Sequence, residues 1–162
     1  MYLYISLMPD KNKMIWGKAT WMLFHILAER INPVFYFNNK RQVLGLVKAI
    51  CSKLPCPTCT THAMRFMSRV NVSSVPTKTQ FRAMLYYFHN KVNLRLGKPQ
   101  FKFRDLTRYK TFNLGIALSN FLVFYAKRYN GTIQVGVTST EIARRKIAQS
   151  ALDWFKTSWR WF

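Results

Sequence analysis

Along most of this chain apolar residues recur every three or four positions, the spacing of helices that bury one face. Ile15, Ala19, Met22, Leu23, Ile26, Leu27 and Ile31 trace such a stripe and predict a first helix over 15–31, stopped by Pro33. Val43, Leu46, Val47 and Ile50 predict a second, capped by Asn38 or Asn39 and running to about Leu54. Pro55 breaks the chain before Cys56, and a third helix begins within Cys56 to Thr60 and continues to Val70. Phe81, Met84, Leu85, Phe88, Val92 and Leu96 mark a fourth, capped by Thr77 or Thr79 and ended by Gly97-Lys98-Pro99. Two more helices are predicted at Phe112 to Tyr129 and Thr140 to Trp159, on either side of an Asn130-Gly131 turn. Thr132 to Val137 alone has strand character, and one short strand makes no sheet. The pattern predicts an all-α chain: an N-terminal arm (1–14), a helical bundle (15–106) and a further helical C-terminal region (107–162).

Composition places the chain among folded proteins, since 49% of it is hydrophobic and 16% aromatic. Charge changes the picture more. Against 26 Lys and Arg stand five acids, Asp10, Glu29, Asp105, Glu141 and Asp153, so internal pairing cannot neutralise the chain. Such a field attracts nucleic acid, anionic lipid or an acidic protein. The apolar run Met1 to Met8 is broken by Pro9 and Asp10, and no cleavable signal is expected. Leu114 to Ala126 is strongly apolar but too short for a membrane span.

Three cysteines are too few for a disulfide scaffold, so each is judged by its surroundings. Cys56-Pro-Thr-Cys59 at a helix start can close a small disulfide ring, and free helix N-terminal N–H groups stabilise a thiolate there. Two other readings stay open on the residues alone. The pair can be reduced and buried, or Cys56, Cys59 and His62 can ligate zinc with His25 or His89 as a fourth ligand. A thioredoxin-like arrangement needs strands around the pair, and the sequence supplies helices. Trp21 and His25 stand four apart on the first helix, and His89 and Asn93 four apart on the fourth with Asn90 between. Such clusters can sandwich a flat organic ring, while Lys18 and Lys98 can meet a pyrophosphate; the bland reading is ordinary core.

Three segments together carry a resemblance. They are Trp16-Gly-Lys-Ala-Thr-Trp21-Met-Leu-Phe-His25, Leu54-Pro-Cys56-Pro-Thr-Cys59-Thr-Thr-His62, and His89-Asn90-Lys-Val-Asn93-Leu-Arg-Leu-Gly97-Lys98-Pro99-Gln-Phe101. In order and spacing the chain resembles the Erv/ALR family of FAD-linked sulfhydryl oxidases, its viral members in particular. The resemblance implies a four-helix bundle around FAD, a short fifth helix, and commonly a dimer. By position, Cys59 is implied as the cysteine beside the flavin and Cys56 as the one that exchanges with substrate. Gly17, Lys18, Trp21, His25, His62, His89, Asn90, Asn93 and Lys98 are implied to line the cofactor. Lys18 stands where the family usually has Arg, keeping the charge and losing the bidentate fork. Tyr86 and Phe103 occupy the positions of a structural disulfide in many relatives, where two aromatics can replace the staple by packing. Tyr109 and Lys110 fall near a Trp usual in the family.

The function so implied is thiol oxidation in dithiol or thioredoxin-like protein substrates, with electrons passed to molecular oxygen. The alternative is a non-enzymatic structural or virion component that keeps the fold. Only Cys51 is spare, so no second shuttle pair exists, and Cys51 itself reads as a small buried hydrophobe. The viral likeness carries an expectation of the host cytoplasm and the virion. Beyond Thr107 the resemblance fades. That basic region, ending in Trp154, Phe155, Trp159, Trp161 and Phe162, is expected to dock on an anionic membrane, an acidic protein or nucleic acid.

Overall fold

A computed structural model describes residues 11–127 and 138–162, and every described element is helical. The α-helices are α1 (Lys11–Arg30), α2 (Pro33–Cys51), α3 (Pro57–Met67), α4 (Lys78–Arg95), α5 (Leu114–Ala126) and α6 (Ser139–Ser158). Short 3₁₀ segments cover Val72–Ser74, Phe103–Lys110 and Trp159–Trp161. The all-α expectation holds, and the short fifth helix is the 3₁₀ segment Phe103–Lys110. The strand expected at Thr132 to Val137 lies outside the described residues.

Local chemistry sets the helix ends. Pro33 does close α1, as expected, but it also opens α2, because a residue lacking an N–H fits the first helical position. Asn32 is therefore the cap, its Oδ1 accepting from Val34 N at 2.9 Å and Phe35 N at 3.1 Å. This corrects the expected caps Asn38 and Asn39, which lie inside the helix. The same device recurs at α3, where Cys56 caps and Pro57 follows. Thr77 caps α4 in a reciprocal box with Gln80. Gly97, at φ 65°, lets the chain leave α4 through the left-handed region.

The core is continuous. α1 sits at its centre, packed by α4, by the Phe103–Lys110 segment and by α5, while α2 meets α3, α4 and α6. Leu23, Phe24, Ile26 and Leu27 of α1 join Val43, Val47 and Ile50 of α2, and Phe81 and Leu85 of α4. Phe121 and Tyr125 of α5 and Phe155 of α6 are fully buried in the same cluster. The C-terminal helices are also tied to the bundle by polar contacts. Tyr125 Oη donates to Ile50 O at 3.1 Å, Arg30 Nη1 to Phe112 O at 3.1 Å, and Asn32 N to Trp161 O at 2.7 Å. Among the described residues, no helix is long and apolar enough to cross a membrane.

Candidate active site

The α2–α3 connection delivers Cys56 to the mouth of the bundle, where it is joined to Cys59 in a disulfide with Cα atoms 5.1 Å apart. One helical turn holds both sulfurs. Cys56 takes the N-cap position, and the N–H of Cys59 donates to Cys56 Sγ at 3.2 Å. That N–H belongs to the unpaired first turn, whose positive end favours a thiolate on either sulfur after reduction. Cys56 is buried, at 8% exposure, and Cys59 is half-buried. Cys51 is apart from this chemistry: it is buried and free, and burial pushes its thiol up to about 12.

Aromatic packing ties the far end of α3 to a second cluster. Cys59, His62 and Phe66 follow one another at three and four residues, so they share a face of α3. Phe66 stacks on Phe88 of α4 with centroids 4.5 Å apart, and Phe88 meets the edge of Trp21 at 5.0 Å. Trp21 then lies face to face with His89, 4.0 Å between centroids and 4° between planes. His25 Nε2 and His89 Nδ1 are hydrogen-bonded at 2.9 Å, so one ring donates and the other accepts. Tyr109 closes the far side, its ring 4.9 Å from that of His25.

Both histidines are held neutral. Burial first, then the charges of His89, Arg108 and Arg82, push His25 down to about 3. Burial and Lys98 push His89 down to about 4. His62 is also lowered, by desolvation and then by Arg95 and Arg65. Lys98 is thus near enough to His89 to act on it, and Lys18 lies one turn before Trp21 on α1. Ion pairs among the described residues join only Arg82 to Glu29 and Arg104 to Asp105, so neither lysine is spent on a carboxylate. Gly17 sits in mid-helix with nothing within 4 Å of where a Cβ would stand. A glycine there costs about 1 kcal/mol of helix stability, and the open space beside it suits a ligand.

Two amides are buried with this wall. Asn90 Nδ2 donates to Phe101 O at 3.0 Å, and Phe101 N donates to Asn90 Oδ1 at 3.2 Å, which pins the segment after Gly97 against α4. Asn93 is buried, its carbonyl taking the N–H of Lys98 at 2.8 Å. Trp21, His25, His89, Asn90 and Lys98 are therefore gathered at one place, and α3, which carries Cys59 and His62, packs on it through Phe66 and Phe88. Phe66 and Phe88 build the site as well, beyond the residues expected from the sequence. Phe66 and Phe88 carried a signal, standing four residues after His62 and one before His89. Among the described residues no cluster of three or more His, Cys, Asp or Glu is placed to share a metal ion.

A flat aromatic wall, two free ammonium groups and a disulfide in a helix's first turn suit a phosphate-bearing ring compound beside a redox-active sulfur pair. The comparisons agree with this geometry. The sequence model of the Erv1 / Alr family matches residues 18–112, more than half of the chain. Protein 347L of Invertebrate iridescent virus 6, provisionally named an FAD-linked sulfhydryl oxidase, is 34% identical over 57% of this chain and 88% of its own length. FAD-linked sulfhydryl oxidase ERV1 of Oryza sativa subsp. japonica is 33% identical over 52% of this chain, a match that spans less than half (43%) of the rice protein. An FAD-linked sulfhydryl oxidase of African swine fever virus is 26% identical over 51% of the chain and 69% of its own length. No solved structure matches the chain. With the family model matched across the cysteine turn and the aromatic wall alike, the chain belongs to the Erv1 / Alr family.

Proposed function

We propose that this chain is an FAD-dependent thiol oxidase that forms disulfides in partner proteins through Cys56 and Cys59. The observation that carries the reading is the Cys56–Cys59 disulfide in the first turn of α3, a helix whose last turn packs through Phe66 and Phe88 against the Trp21–His89 wall. The residues fit the cofactor: a planar wall for a ring, Gly17 for clearance, and Lys18 and Lys98 for a pyrophosphate. FAD held there would supply a two-electron acceptor for the Cys56–Cys59 dithiol, with dioxygen as the final acceptor and hydrogen peroxide as product.

The chain's own residues do the rest. A substrate thiolate attacks Cys56 Sγ, which the family resemblance assigns to exchange and which must open from its 8% exposure to be reached; a mixed disulfide forms, and Cys59 departs as a thiolate stabilised by the α3 N-terminus. A second substrate thiolate then attacks the substrate's own sulfur in the mixed disulfide, releasing Cys56. One substrate disulfide is formed for the one broken in the enzyme. Neutral His25 and His89 keep uncompensated positive charge out of the buried wall and can still donate or accept through their ring nitrogens. Oxygen uptake with dithiothreitol tests the reading. Cys56→Ser and Cys59→Ser are each expected to lose turnover by at least about a hundredfold while keeping the helical far-ultraviolet signal and bound flavin. Cys51→Ser is expected to stay within about threefold, because a buried thiol held above the ordinary range is unreactive. Turnover near the unmutated rate in either of the first two variants would falsify the assignment.

A further inference from the structure

The stretch of chain that carries the disulfide is basic. Between Glu29 and Asp105 the chain contains no acid at all, and Glu29 is buried against Arg82. Of the remaining acids in the described residues, Glu141 is buried, Asp153 takes a hydrogen bond from Gln149, and Asp105 pairs with Arg104. Lys53 is exposed in the link just before Cys56, and Arg65 and Arg95 are exposed on α3 and α4.

Helix geometry brings Arg95 to the cysteine end, while Arg65 stands in the last turn of α3. Phe66 meets Phe88, while His62, one turn earlier on α3, feels Arg95, two turns later on α4. Moving back along α3 therefore means moving forward along α4, so the helices run antiparallel. The first turn of α3, with Cys56 and Cys59, consequently lies level with the last turn of α4. Apolar side chains are interleaved there: Leu94 is 68% exposed and Leu96 46%. A basic surface with exposed apolar side chains and no acid repels a basic partner and gains from an acidic one.

Resting on the oxidase reading above, we propose that the substrate thiols are presented by an acidic polypeptide, whose Asp and Glu residues dock on Lys53 and Arg95 at the disulfide end of the bundle and on Arg65 further along α3. The chemistry of exchange is unchanged by this. The substrate's two thiols lose two protons and two electrons, its sulfur–sulfur bond forms as that of Cys56–Cys59 breaks, and both enzyme sulfurs are left reduced. The basic surface adds orientation and a raised local concentration. It also favours the substrate's thiolate, the attacking form.

The test uses the full flavin-loaded chain and three dithiols: dithiothreitol, a Cys-x-x-Cys peptide flanked by four Glu, and the same peptide flanked by four Lys. The Glu-flanked peptide is expected to show a kcat/KM at least about tenfold above the Lys-flanked one at low salt, the gap closing near about 0.5 M NaCl. R65E together with R95E is expected to remove or invert that preference, with dithiothreitol oxidation held within about twofold, whereas R145E together with K146E on α6 should leave the preference intact. Fluorescence anisotropy with labelled peptides carrying Ser in place of both Cys gives binding without turnover and should rank the peptides the same way. Equal kcat/KM and binding for the two peptides, or a preference that survives R65E/R95E or is lost equally in R145E/K146E, overturns the proposal. Failure of the loaded chain to oxidise dithiothreitol would instead sink the oxidase reading, and the anisotropy ranking would still decide whether the surface selects acidic chains.

Discussion

At Trp21, His25 and His89 single side chains serve as packing and, on the proposed reading, as the cofactor wall, and the titration of the two histidines makes their burial measurable. An unfolded histidine takes its proton near 6.5, whereas the folded chain holds His25 near 3 and His89 near 4, burial being the first cause in both. Between those values the unfolded state binds more protons, so stability rises with pH. The full contribution is present above about pH 6.5 and drains as pH falls toward 4, on the order of 1–2 kcal/mol per ring by pH 5. Urea midpoints of the protein at pH 5, 6 and 7.5 should climb accordingly, and a flat profile would refute neutral burial. The same rings bear on the cofactor. Trp21→Ala or His89→Ala removes one half of a stacked pair, and the flavin-to-protein absorbance ratio of the purified protein should fall severalfold in each. An unchanged ratio in both would mean these residues are only core. Four-residue spacing made Trp21 and His25, and His89 and Asn93, legible as pairs on two helices, and the family resemblance joined them into one wall. Their partners were less so: the burial of Cys56 and the closure by Tyr109 depend on contacts between elements distant in the chain.

The helices themselves were legible through period and punctuation, and the boundary errors have local causes. Two asparagines at 38 and 39 are good caps in isolation, but Asn32-Pro33 combines a side-chain acceptor with a first residue that has no N–H to satisfy, and this earlier start prevails. The prediction belongs to that cap. Asn32→Ala should cost about 1 kcal/mol of stability, visible as a lower thermal midpoint. Asn32→Ser or Asn32→Asp should recover most of it, whereas a purely steric role would leave them as weak as Ala. Between α1 and α4, Glu29 is buried with Arg82, while Lys78 donates to the Glu29 carbonyl at 2.8 Å. An isolated acid in a basic chain was visible; that it would be buried was not, because burial is decided by the partner helix. The staple expected from Tyr86 and Phe103 is present as an edge-to-face pair at 5.2 Å, with Arg82 over the Phe103 ring at 4.4 Å.

At the scale of the molecule, the sequence separated a bundle from a basic, aromatic C-terminal region, and composition gave reason to imagine that region free to dock. Its aromatics are instead spent largely within the chain. Trp161 stacks on Phe35 of α2 at 5.2 Å, Trp154 meets both Phe155 and Phe162, and Phe121, Tyr125 and Phe155 have no exposed surface. Amphipathic periodicity shows that a helix has an apolar face but not which neighbour covers it, which is why sequence could not decide between packing and docking. The structure makes a definite prediction for a chain ending at Arg104. Removing α5 strips α1 of a principal packing partner, and removing α6 uncovers part of α2. Each large side chain left exposed on the bundle forfeits about 1.5–3 kcal/mol, against a total stability of about 5–15 kcal/mol. The truncated chain is therefore expected to aggregate or to melt far below the intact one, and to lose flavin with its fold. A milder change keeps the idea testable if truncation yields no soluble protein: Phe155→Ala should destabilise by about 3–5 kcal/mol while leaving dithiothreitol turnover per folded molecule unchanged. A truncated chain that melts like the intact one and holds flavin would show that α5 and α6 only lie against the bundle and contribute little to it.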